Sequence, residues 1–129
     1  KIFSNGFCVN IGNPHIIFFV KNCFEYDLKI IGPKIENHDL FPEKTNVTFA
    51  EVKDKNNMTV NVWERGVGLT KACGTAACAS AVAGLKKNLV NDKVNIKFSE
   101  GALKIEIDKN ENIFMTGPVS EIKDINLRL

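Results

Sequence analysis

Apolar and polar positions alternate along several stretches of the chain, and each such stretch ends near a turn former. Met58, Val60 and Val62 fall on one side of a period-two pattern, with Thr59, Asn61 and Trp63 on the other, which predicts a strand over 58–64. Leu103, Ile105 and Ile107 alternate with Lys104, Glu106 and Asp108, so a strand over 102–107 should have one wet face. The apolar run HIIFFV, from His15 to Val20, lies between Gly12-Asn13-Pro14 and Lys21-Asn22 and has the length of a buried strand. Further strands are predicted over Asn46–Val52, Val94–Phe98 and Ile113–Thr116, with DKNEN (Asp108–Asn112) as the turn before the last. The period changes at Cys73. From there to Lys87 alanine, valine and leucine occupy nearly every face, the pattern of a helix buried all round, with Lys86 and Lys87 complementing the negative end of its dipole. Asp27 to Asp39 holds a short helix that Gly32-Pro33 is expected to interrupt. The opening KIFSNGFCVNIG reads as strand or loop. The expected fold class is α+β, a mostly antiparallel or mixed sheet wrapped around one central helix.

Composition narrows the function classes. The 129 residues are 44% apolar and 25% charged, enough for one domain with a real core, and no linker or internal repeat divides them. The formal net charge of +2, with its basic residues scattered, gives no footprint for nucleic acid. No apolar run is long enough to span a bilayer and no signal-peptide pattern opens the chain. The four cysteines include no C-x-x-C pair, so reduced thiols in a cytoplasmic protein are expected rather than disulfides or a metal site. Because the first residue is Lys1 and no helix start opens the chain, it reads as a piece of a longer protein, with a trimmed native start as the alternative.

One stretch carries candidate chemistry. WERGVGLT (Trp63–Thr70) leads through Lys71 and Ala72 into CGTAAC, Cys73–Cys78. Gly66 and Gly68 permit tight turns before the helix, and Cys73 falls at or just before its first turn. The helix dipole is expected to favour a thiolate there. The N–H groups of Gly74, Thr75 and Ala76, free of intrahelical partners, can hold a carboxylate or phosphate. The bland reading makes Cys73 a small apolar residue capping an alanine helix. The neighbouring Glu64 and Arg65 suit a zwitterion, one taking an ammonium and the other a carboxylate, although adjacent acid and base are often only a solvated pair. GNPH places Asn13 and His15 around a stiffening proline, and FPEKTNV places Asn46 at the start of a strand. Taken singly, these two are turn chemistry, and His15 is a core histidine.

Taken together, GNPH, FPEKTNV, WERGVGLTKACGTAACA and the late MTGP (Met115–Pro118) stand in the order and spacing of the C-terminal half of diaminopimelate epimerases. The chain resembles that family over almost its whole length. The resemblance implies one half of a two-domain diaminopimelate epimerase-like fold, with residues 1–129 as the C-terminal domain and an active site between the halves. It implies a cofactor-independent enzyme that interconverts LL-2,6-diaminopimelate and the meso isomer, in lysine and peptidoglycan-precursor biosynthesis. Two cysteines, one per half, face opposite sides of the reacting α-carbon, and Cys73 matches one of them. Asn13, Asn46, Glu64 and Arg65 match substrate-binding positions, Gly74 and Thr75 match the anion-holding helix start, and His15 and Glu64 match residues that assist the cysteines. The implied partners are an amino-acid substrate and the N-terminal half of the same protein; a homodimer stays open.

The chain departs from the family where Ala76 replaces a frequent glycine and Leu69 a frequent glutamate. Cys8, Cys23 and Cys78 lack a C-G-x-[AG] setting, so none supplies the second catalytic thiol, and the chain alone is expected to be inactive. Two other readings remain. A proline or hydroxyproline racemase has similar chemistry but no need of the Glu64-Arg65 pair or of GNPH. A non-catalytic amino-acid-binding domain could retain the same pocket.

Overall fold

The computed structural model describes residues 5–70 and 73–117, and the backbone of 125–128. In chain order the elements are β1 (Phe7–Asn10), β2 (Pro14–Phe19), α1 (Leu28–Glu36), β3 (Asn46–Asp54), β4 (Asn57–Glu64), β5 (Gly68–Thr70), α2 (Gly74–Lys86), β6 (Lys93–Phe98), β7 (Gly101–Ile107), β8 (Asn112–Thr116) and β9 (Ile125–Arg128). The strands form one sheet in the order β1-β2-β3-β4-β6-β7-β8-β9, with β5 paired to β4. β2 with β3 and β4 with β6 are parallel; the other pairings are antiparallel. The two parallel pairs are those whose connecting segments contain a helix, since a parallel return needs a long crossover.

α2 packs against β1, β2 and β3 on one side and β6, β7 and β8 on the other, so the sheet curls around it, as the sequence pattern predicted. Every residue from Ala76 to Gly84 is buried. Their small side chains let the strands approach closely, and Met58, Val60 and Val62 of β4 join this cluster with Val94, Ile96 and Phe98 of β6. The opposite face of the sheet carries a second cluster, where Ile16, Phe18, Val47 and Phe49 meet Leu28 of α1 and the half-buried Trp63. The period-two reading of β4 is therefore correct: Val62 faces α2, and Trp63 faces α1.

α1 corrects the sequence-based expectation. It runs through Gly32-Pro33 without interruption. Pro33 removes only the hydrogen bond to the Lys29 carbonyl, and Lys29 lies on the exposed face of the helix. Gly32 lacks the Cβ that would clash with the proline ring. Both ends are tied down: Asp27 Oδ1 accepts from Lys29 N at 3.0 Å, and Asn37 Nδ2 donates to the Pro33 carbonyl at 2.8 Å. Smaller differences concern ends. The strand expected at His15–Val20 starts and stops one residue earlier, and β3 continues two residues beyond Val52. The helix expected over Cys73–Lys87 has those two residues as its caps. Of the opening stretch read as strand or loop, Phe7–Asn10 is strand and residues 1–4 lie outside the described residues, and β5 lies in what reads as a glycine-rich turn.

Candidate functional site

The sheet gathers the chemistry-bearing residues at one end. His15 and Asn46 are register partners near the starts of the parallel strands β2 and β3, and Val47 pairs with Trp63 near the end of the antiparallel β4. The GNPH loop, the start of β3 and the Glu64–Val67 turn are thus neighbours, and hydrogen bonds join them to each other and to the start of α2.

Cys73 is the N-cap of α2. Its backbone is extended, with φ −146° and ψ 110°, and its side chain makes no capping bond. Its carbonyl accepts from Ala77 N at 3.0 Å, the first bond of the helix. The geometry of any helix start leaves the N–H groups of Gly74, Thr75 and Ala76 without intrahelical partners beside the thiol. The sequence thus placed the cysteine correctly relative to the helix. Gly74 has a packing reason as well: a Cβ there would lie 2.9 Å from Met115 Cε and 3.1 Å from its Sδ. The Met115 side chain of β8 sits against the helix start, a contact signalled only by the MTGP motif, whose Pro118 lies outside the described residues.

A polar chain runs from the thiol into the core. Cys73 Sγ and Thr75 Oγ1 are 3.5 Å apart, Asn13 Nδ2 donates to Thr75 Oγ1 at 3.4 Å, and His15 Nε2 lies 3.1 Å from Asn13 Oδ1. With Asn13 Oδ1 as the acceptor, Nε2 carries the imidazole proton. His15 is buried, and its Nδ1 has no partner among the described residues. It is thus a core histidine by position but an unsatisfied one.

Burial and then the nearby Arg65 charge lower the His15 pKa from 6.5 to about 4, because both oppose a second positive charge there. At neutral pH the ring is uncharged. The unfolded chain takes up this proton below pH 6.5 and the folded protein only near pH 4, so this group's share of stability is present above 6.5 and declines as the pH falls toward 4. An NMR titration of the His15 imidazole in the folded protein should give a midpoint near 4; a midpoint at the free value of about 6.5 would contradict the buried neutral ring.

Asn46 joins two segments. Its Nδ2 donates to the Pro14 carbonyl at 3.0 Å, and its Oδ1 accepts from Arg65 N at 2.6 Å. The amide therefore ties the GNPH loop to the Arg65 turn and keeps one N–H and one lone pair for a further contact. Arg65 Nη1 donates to the Glu43 carbonyl at 3.0 Å, leaving the rest of the guanidinium fork for a ligand. Glu64 ends β4, half-buried, and no hydrogen bond or ion pair among the described residues involves its carboxylate. It is not bonded to Cys73, His15 or Arg65, so the solvated Glu64–Arg65 pair is not formed. Gly66 (φ 76°) and Gly68 (φ 112°) adopt the left-handed backbone expected of this turn.

The other thiols differ in setting. Burial pushes the Cys23 and Cys78 thiols up to about 12, helped at Cys23 by Glu51 and at Cys78 by Cys73, and a thiol that stays protonated is a poor base. Cys8 is exposed on β1. Cys73 alone of the four stands in the hydrogen-bonded cluster just described. Among the described residues no group of three His, Cys, Asp or Glu could hold a metal ion, and no helix is long and apolar enough to cross a membrane.

Comparison with known proteins gives the family of the chain. The family model described as diaminopimelate epimerase matches residues 7–122, and the chain belongs to that family. It is 60% identical over 124 residues to a diaminopimelate epimerase of Pelagibacter ubique, covering 96% of this chain and 45% of the relative. It is 47% identical over 113 residues to one of Erythrobacter litoralis, covering 88% and 42%. The chain thus spans a little under half the length of these curated relatives. Among solved structures, the crystal structure of a Bacillus anthracis phenazine biosynthesis protein of the PhzF family superposes with a TM-score of 0.57 at 17% identity, over 84% of this chain and 35% of that one. That likeness concerns the fold alone.

Proposed function

We propose that this chain is the C-terminal domain of a cofactor-independent epimerase that interconverts LL-2,6-diaminopimelate and its meso isomer in the cytoplasm, supplying lysine and peptidoglycan precursors. The observation that carries the reading is the half-buried Cys73 thiol at the N-cap of α2, uncommitted to capping and adjacent to three helix-start N–H groups that have no intrahelical partner. In the proposed reaction Cys73 acts on one face of the α-carbon and a cysteine of the N-terminal half acts on the other. One thiolate removes the α-proton as the C–H bond breaks, and the opposite thiol delivers its proton to the carbanion-like centre, inverting it. This is general acid–base catalysis by two groups. The N–H groups of Gly74 and Thr75 bind the α-carboxylate and stabilise the charge that grows on it.

The remaining roles are those that the resemblance to the family implies. Arg65 grips the carboxylate remote from the reacting carbon, while Glu64 takes an ammonium and assists Cys73. Asn13 and Asn46 supply neutral contacts. His15, uncharged and hydrogen-bonded to Asn13, assists by orienting that amide. The full-length protein should convert LL-diaminopimelate to the meso form without added cofactor and leave proline unchanged. Proline racemisation would instead favour the racemase reading. Arg65→Lys removes the planar fork and should lower kcat/KM about tenfold, roughly 1.4 kcal/mol of transition-state stabilisation. Unchanged kinetics would remove Arg65 from the substrate site.

A further inference from the structure

The buried carboxylate of Glu36 lies outside every motif named above. It closes α1, and its two oxygens accept two different donors: Trp63 Nε1 at 2.9 Å and Gly66 N at 3.2 Å. Those donors flank Glu64 and Arg65 in sequence. Gly32, one turn earlier on α1, lets the helix lie directly on the indole, since a Cβ there would be 2.4 Å from Trp63 Cγ. Two further anchors of the same turn come from the segment that follows: the Glu43 carbonyl holds the Arg65 guanidinium, and Asn46 Oδ1 holds Arg65 N. Residues 36–46 thus grip the 63–66 turn at four points, and Glu36 supplies two of them.

We propose that Glu36 is a positioning residue that fixes the Glu64–Arg65 turn in its substrate-binding conformation; the assignment rests on the epimerase reading above. The chemistry requires a carboxylate. Two N–H donors converge on Glu36 from different directions, and an ionised carboxylate accepts from both. An amide of the same shape offers one acceptor and one donor, so Glu36→Gln sets an N–H group against either the indole or Gly66. A buried donor without an acceptor is costly, and the Gly66 turn, exposed and short, is the part free to move. Arg65 then loses its aim at the remote carboxylate.

The test uses the full-length protein. Glu36→Gln should raise KM for LL-diaminopimelate about tenfold with a smaller change in kcat, because the interaction lost is binding of the remote end. It should also speed hydrogen exchange of the Gly66 amide about tenfold. Trp63→Phe removes the indole donor but leaves the Gly66 bond, so in the wild-type background it should change KM less than twofold. Combined with Glu36→Gln it should restore KM, because the amide oxygen can then face Gly66 and its NH₂ no longer opposes a donor. A Glu36→Gln protein that melts earlier while KM and Gly66 exchange stay within twofold of wild type would overturn the proposal and make Glu36 a stability residue only. So would failure of Trp63→Phe to rescue. The exchange arm needs no substrate, so a wild-type protein without epimerase activity would refute the reaction assignment and still leave the hold of Glu36 on the turn to be decided by Gly66.

Discussion

Replacing Cys73 by alanine in the full-length protein should lower kcat for epimerisation by roughly a thousandfold, about 4 kcal/mol, the scale of losing one positioned acid–base group. The loss should come without unfolding. The Cys73 side chain makes no capping bond and is half-buried, and its structural contribution to α2 is a carbonyl that alanine keeps. Cys73→Ser sharpens the point. Serine is a favoured N-cap whose oxygen can accept from an N–H of the first turn, so this variant should be at least as stable as wild type. Its hydroxyl is far too weak an acid to exchange protons with an α-carbon at neutral pH, so activity should still be lost. Thermal melts together with kcat for both variants check the prediction. Retention of more than a tenth of wild-type kcat by either variant would remove Cys73 from the chemistry.

Much of the fold is legible in the hydrophobic pattern because packing is strongly one-sided there. β4, β6 and β7 alternate cleanly, and the Ala-rich α2 has no polar face because strands surround it. Strand direction was less legible. Whether β2 pairs parallel or antiparallel with β3 depends on how the intervening segment crosses the sheet, which alternation does not encode. α1 was obscured by Pro33, whose cost is limited because Lys29, the residue whose carbonyl loses its donor, is exposed. β5 is three residues long and held by pairing with β4, too short for any periodic signal.

The site divides along similar lines. Cys73, Gly74 and Thr75 became candidates as a thiol at a glycine-led helix start, Glu64 and Arg65 as a pair suited to a zwitterion, and Asn13, His15 and Asn46 gained roles only through the resemblance to the family. Their internal bonding was not readable: the use of Asn46 as a tie between two loops depends on strand register. Glu36 was missed because it lies in IENHD among other polar residues. One signal was present, however. Leu28, Gly32 and Glu36 are spaced by four and so share a helix face, and they are the buried residues of α1. A glycine and an acid on the inward face of an amphipathic helix call for a large aromatic with a donor, and Trp63 is the single tryptophan of the chain.

The second large effect expected is that this chain alone does not epimerise. Inversion by two bases needs groups on opposite faces of one carbon, and only Cys73 of the four cysteines stands at the candidate site. Cys23 and Cys78 are buried with thiols raised to about 12, and Cys8 projects from the exposed part of β1. A substrate bound to this domain alone would also stay open to water, which weakens every electrostatic contact that makes its α-proton removable. An incubation of the isolated chain with LL-diaminopimelate in D₂O, with and without the separately expressed N-terminal half, separates the two possibilities. Deuterium at the α-carbon is followed by NMR and the meso isomer by chiral chromatography. The chain alone should give no meso product, and meso product carrying solvent deuterium should form once the second half is added; efficient epimerisation by the chain alone would overturn the division of the two catalytic thiols between the halves.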